Sequence, residues 1–381
     1  VRRAAALCCA ALALGSSVWP RARPQPRPEL RTVRPAVATD EAPFYAEEFL
    51  NEESLGRMCH VASLCELSDG RLASVWYSGT AECAPDVTIE LASRAPGDGA
   101  AWSAPRTIVT RESASRESGR FVKAVGNPVV FADDRDRLWL LHSTILLGGH
   151  AGSSLDVTTS DDGGATWGRG RRLTLSPFLN VSELARGRPV PLEGGGFAIP
   201  VYHELLGKFP EMLWLSAADS PSGLAWRKTR LAGGRSFLQP VVVPADAKNA
   251  VAFLRDRSRR RAVTMQVTRD GGASWSAPVA TDLPNPDAPV DVLPMSDGRL
   301  LIAFNDSPSG RSVLRLAASS DRGATWERLA TLEDEPGGRF AYPYMIRARD
   351  GRLHLVYSWQ MKRIRHVTFN EAWLRAREAA R

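Results

Sequence analysis

The sequence predicts an all-β chain folded as a six-bladed β-propeller, and three repeated features predict it. The first is an eight-residue box, Ser/Thr-x-Asp-x-Gly-x-Thr/Ser-Trp, present as Ser160–Trp167, Thr268–Trp275 and Ser319–Trp326. The second is the rhythm of those boxes. Degenerate copies end at Trp102 and Trp226, so the five box tryptophans stand 65, 59, 49 and 51 residues apart, about one four-stranded blade each. The third is a turn followed by an apolar strand, seen at Ser68–Leu72, Asp136–Leu140, Asp297–Leu301 and Asp350–His354.

Each part of the box has a physical task. The Asp carboxylate accepts from nearby backbone N–H groups, and Gly takes the positive φ that a tight hairpin needs. The Ser or Thr hydroxyl satisfies a further turn group, and the Trp ring tucks between neighbouring sheets. The boxes are therefore expected on the periphery of the blades. Only the terminal stretch 370–381 shows a helical period. The repeat runs without a break, so one domain over residues 45–376 is expected; divided by the box spacing, it holds six blades.

Charge excludes a nucleic-acid partner. The chain carries +7, but residues 1–40 hold seven Arg against Glu29 and Asp40 and so account for +5, leaving +2 for the body. The run Arg255, Arg257, Arg259, Arg260, Arg261 is broken by Asp256 and reads as a solvated hairpin tip, and no nucleic-acid-binding fingerprint is present. Arg2-Arg3, the apolar stretch Ala4–Leu14 and the small residues after it have the form of an export signal over residues 1–22. A Pro/Arg-rich linker over 23–44 follows. A secreted or periplasmic protein without a membrane span is expected, acting as a monomer. Cys59, Cys65 and Cys83 remain after the signal; either they are thiols or Cys83 bridges one of the others. No Cys/His spacing asks for a metal, and no cofactor is expected.

The boxes, together with Ala341-Tyr342-Pro343-Tyr344, the strand Asp350–Tyr357 and the segment Ile364–Leu374, resemble the sialidase (neuraminidase) superfamily, in particular bacterial proteins with BNR-repeat-like domains. The resemblance covers roughly residues 45–374. It implies a sialidase-like propeller with an axial site and a Tyr nucleophile. Tyr342 stands where that nucleophile belongs. The resemblance also implies three carboxylate-binding arginines and a carboxylate acid/base. His60 stands at the place of the first arginine, His203 and Glu204 at that of the second, and Glu82 or Asp86 fills the acid role.

The residues themselves give a matching candidate set. His titrates near neutrality and suits proton transfer, so His60 and His203 join Tyr342, Glu82 and Asp86 as catalytic candidates. Arg188, Glu204, Gln239, Asn285, Arg311, Tyr344 and Arg363 are candidates for substrate binding. Asn285 also reads as a turn residue, and Tyr202 and His203 are expected to face opposite ways by strand alternation. The expected function is an exo-acting glycoside hydrolase on an acidic glycan or oligosaccharide. A polysaccharide lyase on uronate glycans and a non-catalytic glycan-binding propeller are the alternatives, because peripheral boxes say nothing about chemistry.

Overall fold

The computed structural model describes residues 29–32, 42–53, 56–176, 180–216 and 223–379. The export signal and most of the linker lie outside them. The first strand, β1 (Tyr45–Phe49), is the edge of the last blade. Blade I holds β2 (Met58–Glu66), β3 (Leu72–Gly79), β4 (Thr88–Arg94) and β5 (Arg106–Val109). Helix α1 (Arg111–Ser118) leads to blade II, with β6 (Ala124–Ala132), β7 (Leu138–Ile145), β8 (Ser153–Ser160) and β9 (Arg171–Arg172). Blade III has a split inner strand, β10 (Leu184–Ala185) and β11 (Val190–Pro191), then β12 (Phe197–His203), β13 (Phe209–Leu215) and β14 (Trp226–Arg230). Blade IV comprises β15 (Phe237–Pro244), β16 (Ala250–Asp256), β17 (Ala262–Thr268) and β18 (Val279–Pro284). Blade V comprises β19 (Asp291–Pro294), β20 (Leu300–Asn305), β21 (Val313–Ser319) and β22 (Glu327–Asp334). Blade VI is β23 (Phe340–Arg347), β24 (Leu353–Trp359) and β25 (Arg363–Phe369), and α2 (Glu371–Ala379) follows it.

Every blade is an antiparallel meander running from the axis outward. The ring closes because β1 pairs with β25, from Tyr45 opposite Phe369 to Phe49 opposite Arg365. One blade is thus sewn from both ends of the domain, which removes an open seam.

The boxes sit between the third and fourth strands, on the periphery as expected, and repeat one hydrogen-bond set. In blade V, Ser319 donates to Asp321 (2.8 Å), Gly323 N–H donates to Ser319 Oγ (2.8 Å), and Thr325 donates from both N–H and hydroxyl to Asp321 (2.9 and 2.6 Å). Thr268, Asp270, Gly272 and Ser274 repeat it in blade IV, and Ser160, Asp162, Gly164 and Thr166 in blade II. The box also joins blades. Gly323, at φ 96°, lies so close to Phe253 of blade IV that a Cβ there would meet the ring at 2.5 Å, and Trp326 meets the same ring edge-on at 5.6 Å.

Two elements differ from expectation. Helix α1 was not expected; it is set locally by a Thr110–Ser113 capping box and by Gly119 at φ 64° rather than by an apolar face. Part of the expected linker is core. Leu30 is buried among Val190, Leu192 and Ala198, and Arg31 pairs with Asp134 (2.6 Å). The described cysteines are free thiols. We expect Gly323→Ala to lower stability by roughly 1–3 kcal/mol through the ring clash, more than Gly298→Ala. At Gly298, φ is also positive (86°), but nothing lies within 4 Å of a new Cβ. Chemical denaturation of the two variants side by side checks the order.

Candidate functional site

The site is built by one backbone device used four times. The innermost strands of blades I, II, IV and VI each carry an extra residue opposite their neighbour, between His60 and Ser63, Gly126 and Val129, Leu238 and Val241, and Ala341 and Tyr344. Within each bulge one non-glycine residue has positive φ: Val61 (53°), Asn127 (44°), Gln239 (51°) and Tyr342 (61°). Three of the four precede proline, which needs no ladder hydrogen bond at a bulge. Positive φ at Val or Tyr costs about 1–3 kcal/mol, a strain typical of functional sites. Asn127, Gln239 and Tyr342 join the axial cluster from these bulges, whereas Val61 packs in the core beside it and His60, just ahead of it, is the cluster member from blade I.

Tyr342 is the centre of the cluster. His60 meets its ring edge-on at 4.5 Å, while Arg186 and Arg311 each place a guanidinium carbon 5.6 Å from the ring centroid. Arg255 donates to its hydroxyl at 3.4 Å and to Gln239 at 3.0 Å, and is fixed by Asp287 at 2.6 Å. Tyr202 accepts from Asn127 (2.9 Å) and Gln239 (3.3 Å), which locks the floor of the cluster. Arg311 donates to the Asp287 carbonyl (2.7 Å), and its other N–H groups make no hydrogen bond or ion pair among the described residues.

Electrostatics follow from this geometry. Burial alone would raise the Tyr342 phenol, but the charges of Arg255 and Arg311 outweigh it and hold the phenol below its ordinary 10. Burial pushes His60 down to about 3 against the opposing pull of Glu82, so His60 is neutral. At the mouth, Glu82 lies 3.4 Å from His60 and 3.7 Å from His150. Its contact with His150 brings Glu82 down to about 2. Burial works against a charged His150, yet Cys83 and Glu82 lift it to about 10. Glu82 and His150 therefore form an ion pair through neutrality.

The structure brings Tyr342, His60, Glu82, Gln239 and Arg311 together and places the other candidates elsewhere. His203 stacks on Phe209 (4.7 Å) and accepts from Leu206 N–H (3.0 Å), so it braces its own turn; Tyr202, one residue earlier, takes the inward face, as alternation requires. Glu204 pairs with Lys208 (3.1 Å). Asp86 accepts from Thr80 N–H (3.0 Å) and hydroxyl (2.9 Å), closing its own loop away from Tyr342. Asn285 is buried and bonds Ala288 N–H and C=O, fulfilling its turn reading. Arg363 lies over Phe49 at 3.6 Å, on the outer part of blade VI. Arg188 lies below the cluster and is held by Asp291 (3.3 Å) and the Met345 and Val292 carbonyls. Tyr344 is fully buried there beneath Arg186, whose guanidinium stands 5.1 Å from its ring.

Sequence reasoning missed Arg255, Arg186 and His150. Arg255 is 9% exposed and belongs to the cluster, not to a solvated tip; only the residues after it form the turn. Its signal was its place at the end of a second strand, one strand from the axis. The recurring x-Pro step in Asn127-Pro128, Gln239-Pro240 and Tyr342-Pro343 would have flagged three of the axial side chains. A separate cavity of about 410 Å³, lined by Arg31, Trp139 and Phe197 among others, shares no residue with this cluster.

The family model described as a BNR repeat-like domain matches residues 70–355. The chain belongs to this family. Comparison with curated proteins returned no match. Among solved structures, this BNR repeat-like protein is similar to the Hadza microbial sialidase Hz136 (17% identity, 84% of this chain and 68% of that one, TM-score 0.69). It is also similar to a Dyadobacter fermentans protein of unknown function (17%, 85% and 97%, TM-score 0.67) and to the intramolecular trans-sialidase of Ruminococcus gnavus (13%, 83% and 95%, TM-score 0.62). At these identities the likeness shows the fold, which is the sialidase-like six-bladed propeller.

Two measurements test the electrostatics. Ultraviolet titration of the folded protein should show one phenol ionising below pH 10, absent in Tyr342→Phe and returned to higher pH in Arg255→Gln. For His150, the folded value of about 10 exceeds the ordinary 6.5, so its stabilising contribution is complete below pH 6.5 and is lost as pH rises towards 10. The fall in Tm across that window should therefore be smaller in His150→Gln than in the parent protein.

Proposed function

We propose that this protein is an exported, exo-acting glycoside hydrolase on an acidic glycan. The observation that carries the reading is Tyr342. It is a partly buried phenol held below its ordinary pKa by Arg255 and Arg311, and it faces the Glu82–His150 pair across His60. In this reading Arg311 receives the substrate carboxylate with its uncommitted N–H groups, a charge-assisted contact. The Tyr342 oxygen, having lost its proton to water under the two arginine charges, attacks the anomeric carbon as a phenolate while the bond to the leaving oxygen breaks. His150 gives that oxygen its proton, oriented by Glu82, and then helps a water release the sugar from the tyrosine. The solved sialidases of the same fold support the substrate class by analogy.

The departures from a sialidase pattern shape the proposal. His60 replaces a guanidinium with a neutral ring, and Arg255, which contacts the Tyr342 hydroxyl, also holds the amide Gln239, which cannot take a proton. Activation of the phenol then rests on the arginines rather than on a neighbouring carboxylate. A second reading, a lyase on uronate glycans, is favoured by Tyr342 itself: a phenol held low by two arginines is a fitting base once ionised, whereas burial leaves His60 too weakly basic for that role.

The test is a panel of fluorogenic and natural acidic glycosides, including a sialoside, with products followed by mass and by ultraviolet absorbance. Hydrolysis should appear as release of a terminal acidic sugar. Tyr342→Phe and Glu82→Gln should each lower kcat/KM by roughly 10²–10⁴, and Arg311→Ala should act mainly on KM, by about 10–100-fold. Undiminished hydrolysis in Tyr342→Phe would sink the nucleophile role. Product absorbing in the unsaturated-uronate band would establish the lyase instead.

A further inference from the structure

The face on which the axial cluster opens also carries most of the exposed large apolar side chains. Phe121, Leu146, Leu147, Leu205 and Leu206 are five of the seven such residues among those described, with Leu147 at 77%, Leu206 at 68% and Phe121 at 66% exposure. Their loops stand at the end of the blades where the inner strands begin. The β7–β8 loop places His150 against Glu82, and Lys123 joins the Phe121 segment to that loop through the Gly148 carbonyl (2.6 Å). The β12–β13 loop is bridged at Lys208 to Ser236, just ahead of Gln239.

These tips are fixed in their exposed positions. Leu206 N–H is held by His203 (3.0 Å), and Leu146 N–H by the Gly152 carbonyl (3.1 Å). Beside them lies positive charge. Arg120 adjoins Phe121, Arg235 lies under Gly207, and Arg259, Arg260 and Arg261 form the β16–β17 turn; all five are exposed and join no ion pair among the described residues. Carboxylates on the same rim are matched: Glu52 by Arg363, Glu53 by Lys362, Asp86 by Arg57 and Asp334 by Arg315, while Glu335 accepts from Gln360.

We propose that this rim docks on an anionic lipid bilayer. The apolar side chains stand on three separate segments, Phe121 ahead of β6, Leu146 and Leu147 after β7, and Leu205 and Leu206 after β12. That arrangement suits insertion into a soft interface better than contact with a shaped protein surface. The unmatched arginines complement acidic headgroups. No helix among the described residues is long and apolar enough to cross a membrane. Docked in this way, the protein presents the axial cluster to molecules carried on the bilayer.

Flotation of the full-length protein with phosphatidylcholine vesicles, with and without phosphatidylglycerol, tests the proposal. Binding should be about tenfold or more stronger with phosphatidylglycerol and should weaken with salt. It should fall about tenfold in Leu147→Ser/Leu206→Ser and likewise in Arg259→Gln/Arg260→Gln/Arg261→Gln, with Tm unchanged because these side chains are exposed. Fluorescence of Leu147→Trp should shift to the blue when vesicles are added. Tyr342→Phe should bind vesicles as the parent does, which separates docking from the hydrolase reading. Absence of binding to the anionic vesicles, binding indifferent to the leucine changes, or a dimer in solution that buries Leu147 and Leu206 would each overturn the proposal.

Discussion

The structure turns on two guanidinium groups that cross the propeller axis. Arg186 and Arg188 leave the split inner strand of blade III and reach the blades on the far side. Arg186 donates to the carbonyls of Tyr342 and Pro343 (both 2.8 Å) in the bulge of blade VI. Arg188 binds the carbonyls of Met345 and Val292 and pairs with Asp291, which itself accepts from Met345 N–H (2.5 Å). Inner strands are exposed to the axis along one side, so their carbonyls need partners there. Guanidinium, planar and rich in donors, satisfies several at once. The bulge that carries Tyr342 is therefore held from the opposite blade.

The same crossing sets the charge of the pocket. Arg186, Arg255 and Arg311 surround one phenol, while the nearest carboxylates, Asp287 and Glu82, are engaged by Arg255 and by His150. A buried excess of positive charge is unfavourable unless a negative group relieves it. Tyr342 is the internal group that responds, and an anionic ligand is the external one. Burial and cation act in opposite directions on the phenol, and the number of cations decides the sign. His60, which cannot be charged there, separates the phenol from Glu82 without adding to the excess.

The architecture was legible in the sequence because the box is local. Asp321, Gly323 and Thr325 satisfy each other within a single hairpin, so their pattern survives as a string of letters and repeats at the blade interval. The closing strand β1 and the helix α1 were less visible, since an edge strand of mixed polarity and an eight-residue helix leave short signals. In the site, Tyr342, His60 and Glu82 were found from loops and strand starts. His203 and Arg363 share those sequence properties, yet each is taken up by a neighbour, Phe209 in one case and Phe49 in the other. Arg255 was hidden inside a charge run whose later members do lie in solvent.

By itself, the sequence determined the repeated unit, the number of blades and the peripheral place of the boxes, because each depends on contacts only a few residues apart. Tertiary structure alone decided which side chains share the axis. His60 and Ser358, Asn127 and Tyr202, and Arg186 and Tyr342 are between 75 and 298 residues apart and meet only when six blades close into a ring. A bulge shifts side-chain direction by one residue, and so it decides inward or outward against the simple alternation that a strand of letters suggests.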